Sequence, residues 1–197
     1  MLDLDPAARE VTRLLGGVTD DHLSGRTPCE GTPVAGLLDH LMGLTLAFTW
    51  AAEKSTAEHG GSRAPGRSKA TAETLDPAWR DVLPRQLEAV AAAWRDPAAW
   101  EGMTEAGGLT MPAEVTGLVA LDELVLHGWD LARATGQGFT CDPASTEAVF
   151  AFTTQAAAPE QAANRDGLFG PVVEVPADAP LLDRALGLAG RDPAWRP

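Results

Sequence analysis

The 197-residue chain has no tyrosine, two cysteines and a marked shortage of basic residues. Without tyrosine there is no phenol to serve as acid, base or metal ligand. Two cysteines, Cys29 and Cys141, cannot make a disulfide scaffold, and this usage points to a reducing, cytoplasmic setting. Fifteen Lys+Arg stand against 28 Asp+Glu, a net charge of −13. Arg63, Arg67 and Lys69 form the one basic cluster. Nucleic acid is therefore excluded as the main partner, because phosphate binding needs a clustered basic face. No run approaches the ~18 apolar residues of a membrane span, so no membrane association is expected. The start, MLDLDPAARE, lacks the basic-then-apolar pattern of a secretion signal. Nucleophile elbow, phosphate loop and dinucleotide glycine pattern are also absent.

What is present is enough apolar material, 45% of residues, to build a core. The length suits one domain, taken as residues 1–197 with a tail from about 159 packed on it. Prolines mark most boundaries. A first helix is expected over Asp5 to Leu15, ended by Gly16 and Gly17. Thr32 as N-cap and Pro33 at the first position open a second, whose stripe Val34, Leu37, Leu38, Leu41, Leu44, Phe48 predicts a helix to about Glu58. The stretch from His59 to Asp76 reads as a solvated loop by composition, or else as a lid bringing positive charge to an anionic substrate. Pro77 starts a third helix with a kink expected at Pro84. Residues 100–110 are Gly-rich and suggest a short hairpin. Pro112 opens a long fourth helix closed by Gly136, and a fifth spans Pro143 to Ala157. A short strand at Val172 to Val175 and a short helix from Ala179 complete the pattern. The fold class is all-α: a helical bundle with a short helix/strand tail.

The fourth helix carries the chemistry. Glu123 and His127 are four apart, so they lie about 40° from each other on one face, one above the other. Asp130 continues the stripe. On the second helix His40 sits within LLDHL beside the apolar stripe and should face the bundle interior. Two imidazoles and a carboxylate are a common three-ligand set for zinc, with a fourth position left for water or substrate. On spacing alone the plainer reading stays open: a hydrogen-bonded core histidine and a solvated Glu–His pair.

The segments DELVLHGWDLARATGQ and TPCEGTPVAGLLDHL, with the tail PVVEVPADAPLLDRALGLAGRDPAW, resemble the actinobacterial DinB-like metal-binding proteins. These are related to the N-terminal domain of mycothiol-dependent maleylpyruvate isomerase. The resemblance implies a DinB-like four-helix bundle holding a divalent cation, zinc first, with nickel or iron as alternatives. It places the ligands on His40, Glu123 and His127. Asp130 matches a family position, with a role in orienting His127 or a bound water; its alternative is a pair with Arg133 or Arg26. The chain departs from the family where Thr32 stands in place of a Trp and Pro33 in place of a Thr. The second, α+β domain of the isomerases is not expected here, so maleylpyruvate isomerisation is not the expected reaction.

The expected function is a metal-dependent transferase or isomerase that activates a low-molecular-weight thiol, of the mycothiol type, or water, and acts on an electrophilic small molecule. The alternative is a metal- or ligand-binding bundle without turnover. A homodimer is the default assembly. Cys29 is expected to be a small buried apolar group, with a thiol activated by a helix N-terminus as the second reading. His22 and His59 should be solvated; Trp50, Trp79 and Trp94 should take core or interface positions and Trp129 a core one; Met103 and Met111 flank the Gly-rich turn and could line a pocket mouth.

Overall fold

The computed structural model describes residues 1–61, 68–161, 165 and 168–197. Six helices carry the described fold: α1 Asp5–Leu15, α2 Val34–Ala52, α3 Trp79–Ala93, α4 Ala113–Ala134, α5 Pro143–Ala156 and α6 Leu181–Leu188. The first four close a ring in which α1 packs on α3, α3 on α2, α2 on α4 and α4 on α1. This is the expected four-helix bundle. α5 lies against α4, and α6 against α5.

The core follows from the stripes. Val11 and Leu14 of α1, Leu37, Leu38 and Leu41 of α2, Leu83 and Leu87 of α3, and Leu121 and Leu124 of α4 are all buried. α2 is apolar all round because it sits between two neighbours. By length and composition alone it is long and apolar enough to cross a membrane, although Asp39 and His40 interrupt its apolar run. However, 56% of that window is buried inside the protein, as a core helix requires.

Several boundaries differ from expectation. α2 begins at Val34, with Pro33 extended at the cap position and no side-chain cap from Thr32. It stops at Ala52 and is followed by a 3-10 turn, Thr56–His59. α3 is continuous through Pro84, which stands inside the helix as its sixth residue. The Gly-rich stretch is an antiparallel hairpin, β1 Met103–Ala106 with β2 Leu109–Pro112. Residues 172–175, expected as a strand, have no ladder partner among the described residues; a bond from Val173 N–H to the Gly187 carbonyl, 2.9 Å, ties them to α6. Gly187 permits that approach, since a Cβ there would come within 2.4 Å of Val175 Cγ2. Gly117 similarly lets Trp94 and Trp100 approach α4 closely. The basic residues Arg63 and Arg67, and hence the lid reading, lie outside the described residues.

Candidate metal centre

His40 stands in the second turn of α2, and Glu123 and His127 in the middle of the facing α4. Because α2 and α4 pack directly, residues 83 positions apart meet: His40 Nε2 lies 3.3 Å from Glu123 Oε2. His127 Nε2 lies 3.0 Å from the same oxygen. The two imidazoles meet edge to face with ring centroids 4.8 Å apart. One donor atom from each residue falls within 4.8 Å of the others. His40 and Glu123 keep partial exposure, 21% and 26% of their side chains, while His127 keeps 10%.

The remaining nitrogen of His127 is occupied. Nδ1 lies 3.0 Å from Asp130 Oδ2, one turn along α4, which leaves Nε2 as the nitrogen turned to Glu123. Asp130 is fully buried and is held in turn by Arg191, whose Nη2 donates to Oδ2 at 3.0 Å. The expected partners Arg133 and Arg26 do not take this role. Arg133 instead donates to the Trp195 carbonyl at 2.6 Å, which anchors the tail. Arg191 reaches the core through the turn that ends α6. Gly190 adopts positive φ (81°), Gly190 N–H bonds to Gly187, and Arg191 N–H bonds to the Leu186 carbonyl at 2.8 Å, a Schellman turn.

Electrostatics bind these groups together. Burial works against the charged form of Glu123, but hydrogen bonds with His127 and His40 outweigh it and hold the carboxyl well below the usual range. Burial likewise opposes charge on His127, yet Asp130 and Glu123 push its pKa up to about 10. For Asp130 the burial cost is overcome chiefly by Arg191, and its pKa is lowered. Asp122 goes the other way: burial, then repulsion from Glu123, raises its pKa well above the usual value. Its Oδ1 is buried without a hydrogen-bond partner among the described residues.

The donor set suits a dication. A tetrahedral zinc shell with bonds of about 2.0–2.2 Å spaces its ligand atoms roughly 3.4 Å apart. The separations of 3.0 and 3.3 Å about Glu123 Oε2 are close to that. A carboxylate flanked by two imidazole nitrogens, one with its tautomer set by a buried aspartate, is the arrangement that metal-ligating histidines use.

A cleft of about 1150 Å³ opens from His40 and Glu123. Trp50, expected at a core or interface position, is half-buried and lines it; His59 is exposed, as expected, and stacks on Trp50 at 4.3 Å between centroids. Met111 lines the cleft, whereas Met103 is 57% exposed outside the described lining. Trp79, Trp94 and Trp129 are core, as expected. Cys29 and Cys141 are free thiols, both half-buried. Two site residues were missed in the sequence reading, Arg191 and Asp122. The Gly-Arg-Asp-Pro run after α6 signals a helix stop, but nothing local signals where the Arg191 side chain lands.

Among known proteins, two uncharacterised proteins of Mycobacterium tuberculosis are each 31% identical over 134 residues, 66% of this chain. The matched stretch spans 64% of those relatives' length. The solved mycothiol-dependent maleylpyruvate isomerase superposes with a TM-score of 0.65 at 16% identity, covering 95% of this chain and 86% of that one. A histidine-to-alanine mutant of mycothiol-dependent maleylpyruvate isomerase gives 0.57 at 18% identity, covering 75% and 65%. At these identities the likeness is one of fold. Residues 4–132, which carry all three candidate ligands, match the family model of the mycothiol maleylpyruvate isomerase N-terminal domain, and the chain belongs to that family.

Proposed function

We propose that this protein is a thiol-using enzyme that holds one divalent cation, zinc first, on His40, Glu123 and His127. It activates a low-molecular-weight thiol for attack on an electrophilic substrate. The observation that carries this is the single Glu123 oxygen placed 3.0 and 3.3 Å from two imidazole nitrogens at the head of an open cleft. When bound, the dication lowers the pKa of a thiol or water brought to it. Two neutral histidines and one carboxylate leave a net positive site, which favours a thiolate. Asp130, through Nδ1, holds the His127 ring so that Nε2 faces inward. The thiol proton passes to solvent through the open cleft. The sulfur bonds to an electrophilic carbon, and either a leaving group departs with its electron pair or the sulfur is later expelled, as in an isomerisation.

A bundle that stores a metal without turnover would be favoured by a closed shell with Asp130 as fourth ligand. Asp130 is committed elsewhere: Oδ2 to His127 and Arg191, with Arg191 Nε also 3.4 Å from Oδ1. That commitment supports an open fourth position and so the catalytic reading. The two free cysteines support a reducing compartment, and we read residues 1–197 as one unit. The test is thiol transfer by zinc-loaded protein to a panel of electrophiles, with chelator-stripped protein as control. Equal rates from the two would end the proposal.

A further inference from the structure

The face of α2 that presents His40 does not end there. Gly43, Ala47 and Trp50 follow at steps of three, four and three, so all four residues share one stripe, and all line the cleft. The two middle positions are small. A Cβ at Gly43 would meet nothing within 4 Å among the described residues, so in these the stripe is the floor of a groove and not a packed seam. At 1.5 Å per residue the floor runs about 15 Å from His40 to Trp50. On α4, Val119 lies one turn before Glu123 and continues its line with an apolar surface. The hairpin supplies Ala106, Leu109 and Met111, and Leu46 stands on the rim. Leu46 and Leu109 are 38% and 54% exposed, large apolar side chains left to water where a ligand would cover them. The stacked Trp50–His59 pair marks the far end.

We infer that this groove is a substrate subsite, and that the electrophile carries an extended apolar body laid along α2 with its reactive carbon at His40 and Glu123. The inference rests on the proposed function for its orientation only. Asp39, Ser68, Lys69, Thr74 and Gln86 also line the cleft, but the stripe of α2 and the hairpin residues facing it select for apolar length whatever occurs at the head. A chain covering Gly43 and Ala47 would also shield the reacting sulfur from water.

The test is calorimetric binding of a 1-alkanol series, butanol to octanol, to zinc-loaded protein. Affinity should rise by about fourfold per methylene, the gain for burying one CH2, with one site per chain. Gly43→Leu should fill the floor, fold at least as stably as the parent because leucine is the better helix former, retain its zinc, and lose at least about tenfold in octanol affinity. Met111→Asp, on the opposite wall, should lose a similar factor. A flat chain-length series, or undiminished octanol binding by folded Gly43→Leu, overturns the subsite. Failure of the protein to hold zinc while the alkanol slope persists overturns the proposed function and leaves the subsite standing. Zinc-dependent thiol transfer with a flat series does the reverse.

Discussion

Arg191 and Asp130 form a buried ion pair, 3.0 Å from Nη2 to Oδ2, although 61 residues separate them and the arginine lies beyond the stretch matched by the family model. Asp130 is the residue that fixes His127, so the C-terminal turn reaches the candidate centre through one intermediary. Removing one partner of a buried pair strands the other's charge. Arg191→Met should destabilise the protein by about 3–5 kcal/mol and, if it remains folded, weaken zinc affinity by about 10- to 100-fold. Denaturant unfolding and competitive zinc titration measure the two effects. Adding Asp130→Asn should restore most of the stability but not the affinity, because the amide no longer fixes His127 as a carboxylate does.

Loss of a proposed ligand should separate metal retention from folding. His127→Ala should lose stoichiometric zinc while keeping its helical circular dichroism. His59→Ala, which removes only the ring stacked on Trp50, should keep it. For the parent, zinc at about 100 times its Kd adds about 2.7 kcal/mol, or roughly 5–10 °C in Tm at this size, reversed by chelator. Matching zinc content in the two variants would remove His127 from the ligand set.

Zinc must displace a proton. With the His127 pKa near 10, the ring is protonated at neutral pH, and a ligating imidazole must be neutral. Apparent affinity should therefore rise with pH up to that value, by at most about tenfold per unit. Calorimetry in buffers of different ionisation enthalpy should register about one proton released per zinc. No net proton release at neutral pH would contradict the charge state assigned to His127.

Gly117→Ala sets two effects of opposite sign against each other. In an open helix the change would gain about 1 kcal/mol. Here the new Cβ would fall 2.6 Å from Trp100 Cζ3 and 2.8 Å from Trp94 Cζ3. Trp94 is buried and anchored by its ring N–H to the Phe48 carbonyl, so it has little room to retreat. Overpacking of about 1–3 kcal/mol should win, and Tm should fall. A rise in Tm would mean the two indoles move apart at little cost.

Much of this protein was legible in order along the chain, because helix periodicity, proline starts and glycine stops are local signals. α1, α4 and α5 fall within a residue or so of expectation, and the Glu123–His127 pair follows from 3.6 residues per turn. Local rules also explain the errors. Thr32 and Pro33 looked like cap and first turn, but the chain is still extended at Pro33. Val172 to Val175 had strand composition but no neighbour to pair with among the described residues. What no local rule supplies is the meeting of α2 with α4, which brings His40 to Glu123, and the return of the tail, which brings Arg191 to Asp130. Both depend on how whole apolar faces pack, a sum over many weak contacts between segments distant in the chain. The sequence alone determined which donor groups exist and which share a helix face; packing alone decided that three of them converge, that Asp130 is locked from behind, and that a groove floored by Gly43 and Ala47 leads away from them.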